Sequence, residues 1–180
     1  MTTLKILQII GACATLAAIP AATWGYIFYR KQSEDRKHYM LTFLVGAFAV
    51  FPILFYKFLW KFFPWMNIFD ATKKYSEVTI GWEAFALIPL SVILTFMFVG
   101  VIEEVMKQSS VHAVDDHKIR NIDDAIAFSI IAALGFSFTE NILYFYNIWV
   151  GKGPEHILVP FVFRSLFSTF AHILFSGIFG

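Results

Sequence analysis

The stretch FVGVIEEVMKQ, residues 98–108, places two adjacent acids directly after an apolar run that begins at Trp82. The run is long enough to cross a bilayer as a helix, which takes about 20 apolar residues. Glu103 and Lys107 have the i,i+4 spacing of a helical ion pair, and Glu104 lies about 100° further round. We predict that the helix ends on these residues and that the acids line a polar cavity. The alternative is that they are solvated at a helix end.

The composition of the whole chain is that of a membrane protein. Of the 180 residues, 58% are hydrophobic and only 15% are charged, whereas about a quarter of a soluble domain is charged. The net charge of +1 gives no reason to expect a nucleic-acid partner. We therefore expect an integral membrane protein surrounded by the lipid bilayer.

The apolar runs predict an all-α fold, a polytopic transmembrane helical bundle. Only helices and closed barrels span lipid, and these runs do not alternate as barrel strands would. We expect one integral-membrane domain over 1–180, with scaffold helices in 6–60 and motif-bearing helices in 84–179. The five predicted spans are 6–29, 40–60, 84–102, 125–148 and 157–179. Whether the sequence stops at its last helix or is truncated there stays open.

The fourth predicted span contains Glu140 and Asn141 about two-thirds of the way along an otherwise apolar segment. A glutamate at that depth costs about 2.5–3.5 kcal/mol unless it is paired or faces water. Phe136 precedes Glu140 by one turn, and Gly135 would let another helix approach closely. We expect a functional polar site here; a purely structural hydrogen bond is the alternative.

The fifth predicted span contains Arg164, Ser168, His172 and Ser176 at four-residue intervals. On a helix, this spacing forms a slowly drifting stripe along one face. Arg164 is too deep to be a helix-end charge, and Glu140 is the acid that we expect to pair with it. We predict that these polar groups and the acids of the third span converge on one hydrated cavity.

Three motifs resemble those of the PrsW family of membrane proteases. EEVMK at 103–107, FSFTEN at 136–141 and RSLFSTFAHILFSG at 164–177 match the forms EExxK, FxxxE(N) and Rx7HxxxSG in the same order. The family is similar to the superfamily of CAAX prenyl proteases and Abi-type proteins. The resemblance implies an intramembrane endopeptidase of the bacterial cell membrane. Its substrate would be a membrane-associated protein, such as a single-pass anti-sigma factor in stress signalling.

The resemblance also implies roles for particular residues. The implied catalytic residues are Glu103, Glu104, Glu140 and His172. The implied supporting residues are Lys107, Asn141, Arg164 and Ser176.

Three catalytic mechanisms and one noncatalytic function are compatible with these residues. The first needs no cofactor: a glutamate activates water as general base, and histidine stabilises the oxyanion. The second uses zinc, with Glu103, Glu140 and His172 as ligands. A serine nucleophile beside His172 is a third. The fourth possibility is a noncatalytic scaffold or proton pathway, because buried ionisable residues also build these.

Overall fold

The structure is a computed structural model that describes residues 2–29, 36–75, 79–80, 88–115, 119 and 121–180. It divides into two compact units, one comprising Met1–Val50 and Met106–Gly180, the other Phe51–Val105. The single domain expected over 1–180 stays a prediction. The described residues form eight α-helices: α1 (Thr3–Tyr29), α2 (Arg36–Phe48), α3 (Val50–Leu59), α4 (Ile68–Lys73), α5 (Leu90–Asp115), α6 (Ile122–Lys152), α7 (Leu158–Phe163) and α8 (Thr169–Phe179).

The all-α bundle is confirmed, and the predicted number of spans can be compared for the described residues alone. Within the described part of the chain, four helical segments are long and apolar enough to cross a membrane: Thr3–Phe28, Lys37–Leu59, Ile122–Lys152 and Pro154–Phe179. The predicted span 84–102 is not among them. Residues 84–87 lie outside the described residues, and the helix that follows, α5, begins at Leu90.

The prediction that the third helix ends on its acids is wrong. Helix α5 continues past Glu103 and Lys107 to Asp115, so the acids lie near its middle. The polar residues after Lys107 are compatible with helix, because their side chains can bond to the preceding turn. The Ser110 hydroxyl, for example, donates to the Met106 carbonyl oxygen at 2.9 Å.

Helix α6 lies at the centre of the first unit and packs against α1, α2 and α8. Its buried residues include nearly all of 128–137. At Gly135 the backbone of α2 lies so close that a Cβ atom would overlap the Phe43 carbonyl oxygen. The prediction that Gly135 allows close helix approach is therefore confirmed, in the manner of small residues at membrane helix crossings.

The second span is interrupted at Ala49, which separates α2 from α3. The cause is local. Pro52 lacks the N–H that would bond to the Phe48 carbonyl, and its ring collides with that carbonyl in a regular helix. The Ala49 N–H donates to the carbonyl oxygens of Val45 and Gly46, at 3.0 and 3.1 Å.

The second unit contains a buried pair of threonine hydroxyls and a short pair of strands. Thr72 on α4 and Thr95 on α5 lie 2.7 Å apart, hydroxyl to hydroxyl. Strands β1 (Thr79–Ile80) and β2 (Ile88–Pro89) pair antiparallel, with Thr79 opposite Pro89 and Ile80 opposite Ile88. The sequence-based expectation of helices alone missed this pair, because two-residue strands carry no detectable periodicity.

Candidate active site

Three elements of the first unit supply the ionisable residues of the candidate site. Helix α6 carries Glu140, the last span carries Arg164 and His172, and the part of α5 in this unit carries Lys107. Glu140, Arg164 and His172 lie in the apolar segments Ile122–Lys152 and Pro154–Phe179, where charges are costly. Their side chains meet in one hydrogen-bonded cluster, which we call the Glu140 cluster: Lys107, Glu140, Asn141, Arg164 and His172.

A π-helical turn, Arg164–Ser168, determines which residues of the last span face the cluster. The Thr169 N–H donates to the Arg164 carbonyl oxygen, five residues back, and the Thr169 hydroxyl bonds to the same oxygen at 3.0 Å. The wider turn puts Thr169, instead of Ser168, on the buried face with Arg164. The predicted four-residue stripe is therefore corrected at Ser168. Such single π turns are frequent at functional sites.

Glu140 joins the arginine and the histidine through one oxygen. Its Oε2 accepts from Nη2 of Arg164 at 2.5 Å and lies 3.0 Å from Nε2 of His172. The Arg164 and His172 side chains are 13% and 12% exposed, and that of Glu140 is 31% exposed. The expected pairing of Arg164 with Glu140 is confirmed, and the carboxylate still reaches open space.

A buried polar network orients the arginine. Nε of Arg164 donates to Oδ1 of Asn141 at 2.5 Å, and the Asn141 amide donates to the Thr169 hydroxyl at 3.4 Å. The Ser137 hydroxyl donates to that of Thr169 at 3.1 Å. The guanidinium also lies 4.5 Å from the centre of the Tyr144 ring, within cation–π range. Arg164 is thus bound from several sides.

Ser137 and Thr169 were missed by the sequence analysis. Ser137 lies four residues before Asn141, a helical spacing that could have indicated it. Thr169 could not have been found in this way, because its position beside Arg164 depends on the π turn.

Lys107 completes the cluster from α5. Its side chain is 1% exposed, and Nζ lies 3.0 Å from Nδ1 of His172. Nζ also lies 4.9 Å from the centre of the Phe136 ring, and that ring contacts His172 with centroids 5.6 Å apart. The motif phenylalanine therefore covers both the lysine and the histidine.

The remaining predicted residues have less defined surroundings. Glu103 and Glu104 are partly buried on α5 and belong to the second unit, whereas the Glu140 cluster belongs to the first. Their convergence with Glu140 and His172 therefore stays a prediction. Ser176 lies one turn after His172 on α8 and is fully buried; its supporting role also stays a prediction.

The comparison with known families agrees with the three motifs. The family model described as PrsW family intramembrane metalloprotease matches residues 34–180. This chain belongs to the PrsW family. No curated protein and no solved structure matches it significantly. As a PrsW-family protein it is an integral membrane peptidase, and its substrate is a membrane protein in the bilayer.

Because the family is one of metalloproteases, the Glu140 cluster is a candidate zinc site. A catalytic zinc needs three protein ligands and an open position. Among the described side chains, no group of three or more His, Cys, Asp or Glu residues could hold a metal. Both nitrogens of His172 are engaged, and Glu140 Oε2 bonds to Arg164. In this arrangement Glu140 and His172 of the PrsW-family chain bond to other side chains and not to a common metal position. Glu103 belongs to the second unit, so the zinc alternative with Glu103, Glu140 and His172 stays a prediction.

Proposed function

We propose that this PrsW-family protein cleaves a membrane-associated protein by water that Glu103 or Glu104 activates, with help from His172. The substrate class that we propose is a single-pass protein such as an anti-sigma factor, in a bacterial cell membrane and a stress-signalling pathway. The observation that supports a catalytic site is the Glu140 cluster. Four ionisable side chains on three separate elements meet in it. Three of them, Glu140, Arg164 and His172, lie in apolar spans, where each one costs insertion free energy.

The proposed reaction needs only a base, a donor and water. Glu103 or Glu104 takes a proton from water, and the hydroxide oxygen bonds to the carbonyl carbon of the scissile peptide. Nε2 of His172, which lies 3.0 Å from Oε2 of Glu140, donates a hydrogen bond that is shared between that carboxylate and the oxyanion that forms. The C–N bond then breaks, and the protonated glutamate returns its proton to the leaving nitrogen. The products are a carboxylic acid and an amine, which exchange a proton to give a carboxylate and an ammonium group.

The supporting residues receive positioning roles in this proposal. Glu140 orients His172 through Oε2, and Arg164 balances the charge of that carboxylate. Asn141 binds Arg164 from its other side. The two acids of α5 lie side by side and influence each other's protonation, so we assign the base role to the pair and not to one member.

The test is cleavage of single-pass membrane substrates by the purified full chain in lipid nanodiscs, with and without EDTA and 1,10-phenanthroline. The matched variants are Glu104→Gln and, as a control with the same change at an exposed site, Glu155→Gln. Cleavage that resists chelators and is lost only in Glu104→Gln supports the proposal. Chelator-sensitive cleavage that zinc restores would replace it with zinc hydrolysis using Glu103, Glu140 and His172. Full activity of Glu104→Gln would remove Glu104 as the base.

A further inference from the structure

Lys107 is the most completely buried charged side chain of the Glu140 cluster, with 1% of its surface exposed. Its ammonium lies 3.0 Å from Nδ1 of His172 and against the face of Phe136. An ammonium group carries hydrogen-bond donors and no acceptor. A lysine in this position can therefore dictate which ring nitrogen of the histidine carries the proton.

The other ring nitrogen has the opposite kind of partner. Nε2 of His172 faces Oε2 of Glu140 at 3.0 Å, and that oxygen already accepts from Arg164. An ionised carboxylate can only accept, so Nε2 must carry a proton. Nζ of Lys107 lies 3.0 Å from Nδ1, and an ammonium can only donate, so this contact leaves Nδ1 with its lone pair. An acceptor, Glu140, beside Nε2 and a donor, Lys107, beside Nδ1 together favour the His172 tautomer that carries its proton on Nε2.

We propose that Lys107 is a positioning residue for His172: it donates to Nδ1 and holds the ring as the Nε2–H tautomer directed at Glu140. The catalytic consequence rests on the proposed function. With its Nδ1 lone pair engaged, His172 cannot take the proton of water and acts as a donor through Nε2. Proton acceptance then falls to the glutamates of α5. Phe136 restricts the ring and the ammonium to this geometry.

The structural half of the proposal is tested without any substrate. The full chain with ¹⁵N-labelled histidine is studied by NMR in nanodiscs, and His172 is assigned among the five histidines by its loss in His172→Gln. We expect an unprotonated, hydrogen-bonded Nδ1 and a protonated Nε2. In Lys107→Met the two nitrogen signals should move toward each other, and Lys107→Arg should retain the wild-type pattern. A proton on Nδ1 in the wild type, or an unchanged ring in Lys107→Met, would overturn the proposal.

The catalytic half is tested by kinetics on the same variants. We expect Lys107→Met to lower kcat by at least about tenfold with KM within about twofold, and Lys107→Arg to recover most of the rate. Lys152→Met removes the same charge from the exposed end of α6 and should leave both constants unchanged. An unchanged kcat in a Lys107→Met protein whose His172 has lost the Nε2–H tautomer would contradict the catalytic role of Lys107.

The two halves of the proposal can fail independently. If the wild type cleaves nothing, the proposed function fails, while the NMR result still decides whether Lys107 sets the tautomer of His172. If Lys107→Met does not fold, the wild-type and Lys107→Arg spectra decide.

Discussion

Oε2 of Glu140 lies 3.0 Å from Nε2 of His172, although 32 residues separate them in the chain. The same oxygen accepts from Arg164. One carboxylate oxygen thus connects the FSFTEN motif on α6 with Arg164 and His172 of the last motif. Because all three groups are partly buried, the loss of this oxygen would leave two donors without their acceptor.

Glu140→Gln should therefore lower both stability and activity. The amide keeps the size but loses the charge that Arg164 requires. A fully buried ion pair costs about 3–5 kcal/mol when broken. Since the Glu140 side chain is 31% exposed, we expect a smaller loss of about 1–3 kcal/mol in the free energy of unfolding. Thermal unfolding in detergent measures this, with the exposed Glu155→Gln as control; equal melting temperatures for the two variants would contradict it.

Glu103→Gln and Glu104→Gln should separate catalysis from folding. If the pair supplies the general base, at least one of these variants should lower kcat by about 10²- to 10⁴-fold, the usual contribution of acid–base catalysis. Thermal unfolding measured on the same samples shows whether a lower rate reflects lost catalysis or a smaller folded fraction. Turnover of a membrane substrate in nanodiscs measures the rates. Wild-type rates in both variants would rule out the glutamate base.

Gly135→Ala should disrupt the crossing of α2 and α6. A methyl group there would overlap the Phe43 carbonyl oxygen and come within 2.8 Å of the Ala47 nitrogen, and neither backbone atom can move independently. We expect a loss of about 2 kcal/mol or more, in the upper range for overpacking. The matched control on the same helix is Gly151→Ala, which meets no atom of the described residues within 4 Å. That variant should be neutral or gain up to about 1 kcal/mol from helix propensity. Thermal melts of both compare them directly.

Thr169→Val should reveal how much the network behind Arg164 contributes. Valine keeps the shape but removes the hydroxyl that accepts from Ser137 and Asn141. A buried donor left without its partner costs about 1–3 kcal/mol. The control is Thr23→Val, whose hydroxyl bonds only within α1 at an exposed position and should cost less than about 0.5 kcal/mol. If the two variants melt alike, the network does not stabilise the last span.

Much of the fold could be predicted because bilayer thickness sets the length of an apolar run. The spans predicted at 125–148 and 157–179 lie within α6 and the segment Pro154–Phe179. The end of the third helix could not be predicted in this way. Charged residues are typical of a helix end, but α5 continues through Glu103 and Lys107 to Asp115, because charged side chains within a helix can form hydrogen bonds and ion pairs with neighbouring groups.

The candidate site was predictable in its residues but not in its contacts. The depth of Arg164 in an apolar segment required an acid, and Glu140 was the expected partner. The spacing of motif residues could not indicate Thr169. A regular helix would place Ser168 on the same face as Arg164, and Thr169 takes that position only because of the π turn. The contact between Lys107 and His172, 65 residues apart, has no signal in local periodicity.

The amino-acid sequence by itself determined that this chain is a helical membrane protein with a small set of costly charges in its spans. Apolar length and the insertion cost of an ionisable side chain are properties of a short segment, so they can be evaluated along the chain. Only the tertiary structure decided which groups those charges meet. The π turn after Phe163, the close crossing at Gly135 and the burial of Lys107 each depend on how separate helices pack. Hydrogen bonds act over about 3 Å, and such distances between segments exist only once the helices have come together.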